Sequence, residues 1–93
     1  MDRERRSRAR ALLLAALAAV EEEIAAPRHA LCSDELGACR ETLRGYLAAL
    51  DADTLPPRKD RGEGLGRLVQ DSWGFEVPLG PLVVQAERAW RTC

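Results

Sequence analysis

Aromatic residues are scarce in this sequence: two tryptophans, one tyrosine and one phenylalanine make up 4% of 93 residues. Valine, isoleucine and threonine are few as well, so a sheet-based architecture is excluded in favour of helices built from the abundant alanine and leucine. A single histidine, His29, leaves little from which to assemble a nucleophile and its base, and the length excludes a large catalytic domain. The three cysteines are an odd number at no regular spacing, which argues against a disulfide framework. Cys32 and Cys39 on one helix would stand about 10 Å apart, beyond bridging distance. There is no excess of charge, with 14 Lys and Arg against 15 Asp and Glu and a net charge of −1, which disfavours general nucleic-acid binding. The longest apolar run, Ala11 to Val20, is far short of the roughly 20 residues a membrane span requires. Glu21, Glu22 and Glu23 follow it where an export signal would place small uncharged residues. What is left is one all-α domain over residues 1–93, expected in a reducing cytoplasm with no membrane segment.

Four helices can be traced. The first runs from about Arg3 to Ala26, with Asp2 as its N-cap and Pro27 as its stop, on a stripe of Leu13, Leu17, Val20 and Ile24. Leu12, Leu14 and the surrounding alanines widen its apolar surface, which implies a central place in the bundle or an oligomer contact. The second opens at the capping region Ser33, Asp34 and Glu35 and carries Leu36, Cys39, Leu43, Tyr46, Leu47 and Leu50 on one side. Gly37 and Gly45 each cost it up to about 1 kcal/mol relative to alanine, which points to close approach of a neighbour. A loop through Asp51, Asp53, Pro56 and Pro57 leads to a third helix over about Glu63–Ser72, facing inward with Leu65, Leu68 and Val69. An ordered turn from Gly74 to Pro81 holds Phe75 and Val77. The last helix then begins near Pro81 and buries Leu82, Val83, Ala86, Ala89 and Trp90. The expected architecture is a compact bundle of about four helices.

No constellation in the sequence carries catalysis. His29 sits between helices beside Pro27, where a surface or capping role is the simpler reading. Asp34, Glu35 and Glu41 lie around a helix start, where acids are expected for dipole reasons alone. His29, Cys32 and Cys39 match no zinc spacing and lack a fourth ligand. Gly62, Gly64 and Gly66 have no strand before them, so they read as loop and packing residues rather than a phosphate loop. Arg3, Arg5, Arg6, Arg8 and Arg10 are more distinctive. Glu4 and Arg8 form a favourable i,i+4 spacing, yet arginines at a helix N-terminus oppose the macrodipole, which hints at an external reason for them. Among the aromatics, Tyr46 and Trp90 fall on core stripes, whereas Trp73 and Phe75 either pin a turn or project as an interface anchor.

The segment Leu65-Gly66-Arg67-Leu68-Val69, followed by Trp73, the pair Phe75-Glu76 and Pro78 before an apolar last helix, resembles the small helical immunity proteins that accompany type VI secretion toxins. Leu31 to Leu50, with Ser33 capping a Leu36, Cys39, Leu43 stripe, is similar to the long second helix of that family. The likeness covers about two thirds of the chain. The best-known members protect against effectors that attack NAD(P)+ or make adenosine polyphosphates. The family usually opens its last helix with an acidic-Pro-acidic-apolar run, from which Val77-Pro78-Leu79-Gly80-Pro81 departs by lacking an acid and adding a proline. The resemblance implies a cytoplasmic helical bundle with no enzymatic activity, cofactor or metal, which binds and occludes the active site of a cognate toxin. No binding residue carries over from the family; from this sequence alone, acidic side chains would meet the toxin's basic groups around an aromatic anchor, and the partner-binding candidates are Asp51, Asp53, Asp71, Trp73 and Glu76, around loops at helix ends. Two alternatives are a small DNA-associated regulator using the helix of Arg3 to Arg10, and a homo-oligomeric bundle joined through the first helix.

Overall fold

A computed structural model of the chain describes residues 2–62, 64–74 and 76–93. The expected cap by the Asp2 side chain, the helix start at Glu63 and the turn residue Phe75 lie outside the described residues. Helix α1 spans Asp2–Ala25 and stops where Pro27 disfavours a helical residue before it. Its buried stripe is Ala9, Leu13, Ala16, Val20 and Glu23, at spacings of four, three, four and three. Leu17 and Ile24, expected on that stripe, are half-buried at its flank, while the alanines take the central line. The reason is that α1 packs along both α2 and α4, and small side chains let two neighbours fit against one helix.

Helix α2 covers Ser33–Asp51 and buries Leu36, Cys39, Leu43 and Leu50 as the periodicity predicts. Its N-cap is Cys32 rather than Ser33, and no side chain caps it there; Asp34 and Glu35 occupy the first turn. Its C-terminus closes through Ala52 N–H to Ala48 O and then Asp53 in the left-handed region, φ 56°, a conformation that aspartate tolerates better than most residues. A single 3₁₀ turn follows at Arg58–Asp60.

Helix α3 is α-helical only over Gly64–Leu68 and then widens to i→i+5 bonding through Val69–Trp73, where the sequence predicted an uninterrupted helix. The wider turn ends with Gly74 N–H donating to Val69 O at 2.6 Å, with Gly74 at φ 75°. Helix α4 spans Leu79–Thr92, two residues earlier than expected, with Pro78 at its N-cap and Pro81 still in the first turn, where no amide hydrogen is required. Gly80 makes this start possible: a Cβ there would lie 2.9 Å from both Gly74 O and Val69 Cγ1. Close approach, expected at Gly37 and Gly45, occurs at Gly80 instead, since nothing lies within 4 Å of a Cβ built on either α2 glycine.

Ion pairs fix the directions. Arg44 meets Glu21, while Arg10 and Arg6 at the other end of α1 meet Asp51 and Asp53, so α2 runs antiparallel to α1. Leu79 and Leu82 share a small hollow with Ala19 and Ala26, and Ala89 and Thr92 share another with Arg5 and Arg8, so α4 is antiparallel to α1 as well. The molecule is an all-α four-helix bundle with no strand among the described residues.

Candidate functional site

The polar interior is a lock, and its centre is a residue that periodicity alone would have made apolar. Glu87 lies four residues after Val83 and three before Trp90, on the buried stripe of α4, and is 3% exposed. A carboxylate placed there requires donors. It receives three: Tyr46 Oη at 2.6 Å and Leu65 N–H at 3.0 Å on Oε2, and Gly66 N–H at 2.8 Å on Oε1. The amides belong to the first residues of α3, so Glu87 caps that short helix and ties it to α4 and α2 together. Tyr46 stacks on Trp90 at 3.9 Å between centroids, and Trp90 Nε1 donates to Tyr46 O at 3.1 Å. Burial, reinforced by the hydrogen bond to Glu87, pushes the Tyr46 hydroxyl well above the ordinary phenol range. Burial likewise raises the Cys39 thiol to about 12.

A second clamp holds the loop between α2 and α3. Arg61 lies over the Trp90 ring, donates from Nε to Pro56 O at 2.9 Å, and donates from a terminal nitrogen to Trp90 O at 2.7 Å and Arg91 O at 3.2 Å. These carbonyls stand at the end of α4, where no further turn supplies donors. Glu23 plays the matching role after α1, accepting from the backbone N–H groups of His29 at 3.0 Å and Arg28 at 2.9 Å, which lower its pKa. His29 itself is exposed. Cys32 is exposed, Cys39 and Cys93 are buried, and all three are free thiols. Among the described residues no group of three or more His, Cys, Asp or Glu gathers as a metal site, and no helix is long and apolar enough to cross a membrane.

The five acidic and aromatic candidates do not form one surface. Asp51 and Asp53 are engaged by Arg10 at 3.0 Å and Arg6 at 2.5 Å, at the N-terminal end of α1. Asp71 and Glu76 are exposed beside the start of α4, at the opposite end of the bundle. The length of α4 separates the two pairs by about 20 Å. Trp73 is 7% exposed and packs in the core rather than projecting; its Nε1 meets no acceptor among the described residues. The face of α1 considered for oligomerisation carries exposed Ala11, Leu14, Ala15 and Ala18.

What the fold does assemble is a basic cleft. Arg5, Arg8 and Leu12 from α1, Arg58 from the 3₁₀ turn, and Gln85, Arg88, Ala89 and Thr92 from α4 surround a concavity of ≈ 660 Å³. The arginines of α1 divide by helical face. Arg6 and Arg10, four apart, turn toward the aspartates of α2, whereas Arg5 and Arg8, three apart, turn toward α4. Among the described residues no carboxylate lies within ion-pair distance of Arg5, Arg8, Arg58 or Arg88, and the expected pair of Glu4 with Arg8 does not form. The positive end of the α1 dipole adds to the same potential. The sequence signal for half of this site was the arginine cluster; Arg58 and Arg88 come from distant segments, and no spacing announces them. No protein-family profile matches the chain, and no curated protein sequence matches it.

Proposed function

We propose that this chain is a non-catalytic binding protein of the immunity or antitoxin kind, acting in the cytoplasm, which occludes a cognate secreted toxin by docking its arginine cleft on an acidic face of that toxin. One observation carries the reading: four arginines from three separate elements line one concave surface, and among the described residues no carboxylate pairs with them, in a chain whose net charge is −1. Like charges brought together repel, and an anionic partner removes that cost while gaining planar, bidentate arginine–carboxylate contacts. The polarity differs from the sequence expectation: Asp51 and Asp53 are exposed, and each already faces an arginine of α1. The cleft would accelerate encounter by electrostatic steering, and the rigid bundle behind it would exclude substrate from the toxin. The type VI setting comes from the resemblance of residues 65–78 to the immunity family.

The test is co-purification with the product of the adjacent gene and rescue of cells from its toxicity. A complex with rescue is expected, lost in the double variant Arg8→Glu, Arg88→Glu while its thermal melting is retained. Neither complex nor rescue would remove the immunity reading, and a complex indifferent to the double variant would remove the cleft from it. A second reading, a DNA-associated regulator, draws on the same unpaired arginines. It requires duplex binding that weakens with salt at a logarithmic slope near −0.9 per phosphate contacted, so no steeper than about −4 for four arginines.

A further inference from the structure

We propose that the arginine cleft is a receptor site for a compact polyphosphorylated anion, one carrying two or more adjacent phosphates. The inference rests on the cleft being the working surface, and not on which protein docks there. Its shape is the first argument. A half-open concavity of ≈ 660 Å³ has the volume of small-ligand clefts, about 300–1,000 Å³. Low-dielectric walls of one charge sign also focus the field inside a hollow more than on a flat face.

The second argument is stoichiometry. Each guanidinium presents planar N–H pairs that match phosphate oxygens, and the four positive charges of the arginines lining one hollow exceed what a single phosphate dianion neutralises. Adjacent phosphates supply both the charge and the oxygen count. The uncharged lining is mixed: the Gln85 amide can donate to a phosphate oxygen, whereas Thr92 Oγ1 already donates to Arg88 O at 3.0 Å and leaves the cleft an acceptor that a phosphate does not use. Leu12 and Ala89, both half-buried, give an apolar strip beside the arginines.

The third argument is that the site is built rather than incidental. Arg58 belongs to an exposed turn and would ordinarily be free to swing away. Arg61 fastens the chain on both sides of it, through Pro56 O before the turn and through the Trp90 and Arg91 carbonyls beyond it. Those carbonyls lie in the same last turns of α4 that carry Arg88 and Thr92. The backbone of the turn is thereby fixed beside the end of α4, which lowers the ordering cost of bringing the exposed Arg58 side chain to a ligand.

Isothermal titration calorimetry of the full chain with inorganic tripolyphosphate tests this, with monophosphate, a nucleoside triphosphate, the corresponding nucleoside and a short DNA duplex as comparison ligands. Tripolyphosphate is expected to saturate one site, with monophosphate weaker by about tenfold or more. Arg58→Gln and Arg88→Gln should each weaken it by about tenfold, the loss of one charge-assisted contact. Arg28→Gln, at the other end of α1, should leave it unchanged. A nucleoside triphosphate tighter than tripolyphosphate would support the site with the Leu12–Ala89 strip holding a ring; equal affinities would support it for a free phosphate chain. No saturable binding of tripolyphosphate, or binding undiminished when Arg58 and Arg88 are both replaced, overturns the proposal. So does a duplex that binds more tightly than tripolyphosphate through the same arginines, since the cleft would then be a nucleic-acid contact. None of these arms uses a toxin, so failure of the immunity reading and failure of this one are told apart.

Discussion

Replacing Glu87 by glutamine tests whether one buried carboxylate holds three helices together. Oε2 accepts from Tyr46 Oη at 2.6 Å and from Leu65 N–H at 3.0 Å, and Oε1 accepts from Gly66 N–H at 2.8 Å. A glutamine can keep its oxygen on the first pair, but its NH₂ then faces the Gly66 amide, donor against donor. One charge-assisted bond is lost outright and the other two become neutral, a cost of about 2–4 kcal/mol. A domain of this size has about 5–14 kcal/mol of total stability, so the variant should lose a large part of it, and at about 4–8 °C per kcal/mol its melting temperature should fall by about 8 °C or more. Urea denaturation followed by circular dichroism is the assay, with the slope of the transition unchanged. Tyr46→Phe alone removes one donor and should cost about 1–1.5 kcal/mol. Because Tyr46 and Glu87 share a bond, the double variant should cost less than the sum of the singles. A glutamine variant within about 0.5 kcal/mol of the parent, or additive costs, would refute the lock.

Three further outcomes follow from the same geometry. Tyr46 and Cys39 have pKa values raised in the folded chain, so their contribution is complete below the ordinary thiol and phenol range and is lost as pH rises toward the folded values. Stability should therefore decline from about pH 9 upward, by up to about 1.4 kcal/mol per pH unit for each group, and Cys39→Ala should flatten part of that decline. Glu23 is the opposite case: its lowered pKa makes its contribution present above the ordinary carboxylate range and lost as pH falls through the folded value, so an acid titration of Glu23→Gln should show a shallower acid limb than the parent. Gly80→Ala must push Cβ against the Gly74 carbonyl at 2.9 Å and should destabilise by about 1–3 kcal/mol, whereas Gly37→Ala meets nothing within 4 Å and should stabilise by about 0.5–1 kcal/mol. Thermal melts of the pair check both signs, and equal signs would contradict the packing described around these glycines.

The pattern of apolar residues was sufficient for the bundle because burial dominates helix placement: Leu36, Cys39, Leu43 and Leu50 on α2, and Val83, Ala86 and Trp90 on α4, sit where a period of 3.6 places them. It was insufficient wherever a residue serves a tertiary contact rather than a period. Glu87 occupies an apolar position because α3 needs a cap, and that need exists only once α3 lies across α4. Gly37 and Gly45 looked like contact sites, yet helix propensity cannot tell a glycine with a neighbour from one without, and the contact fell on Gly80. Likewise the widened turn at Val69–Trp73 ends where Gly74 meets Gly80, a tertiary contact that no helical period displays.

Charge is where the fold adds most to the sequence, and the reason is physical. A sequence displays every ionisable residue with equal weight, but a fold sets some of them beside opposite charges and leaves others without. Asp51 and Asp53, at and just past the end of α2, stay exposed, but the antiparallel pairing of α1 and α2 delivers Arg10 and Arg6 to them. That pairing takes one face of the arginine helix and leaves the other, Arg5 and Arg8, against α4 with Arg58 and Arg88. A near-neutral chain thus keeps a local positive field that its net charge of −1 conceals.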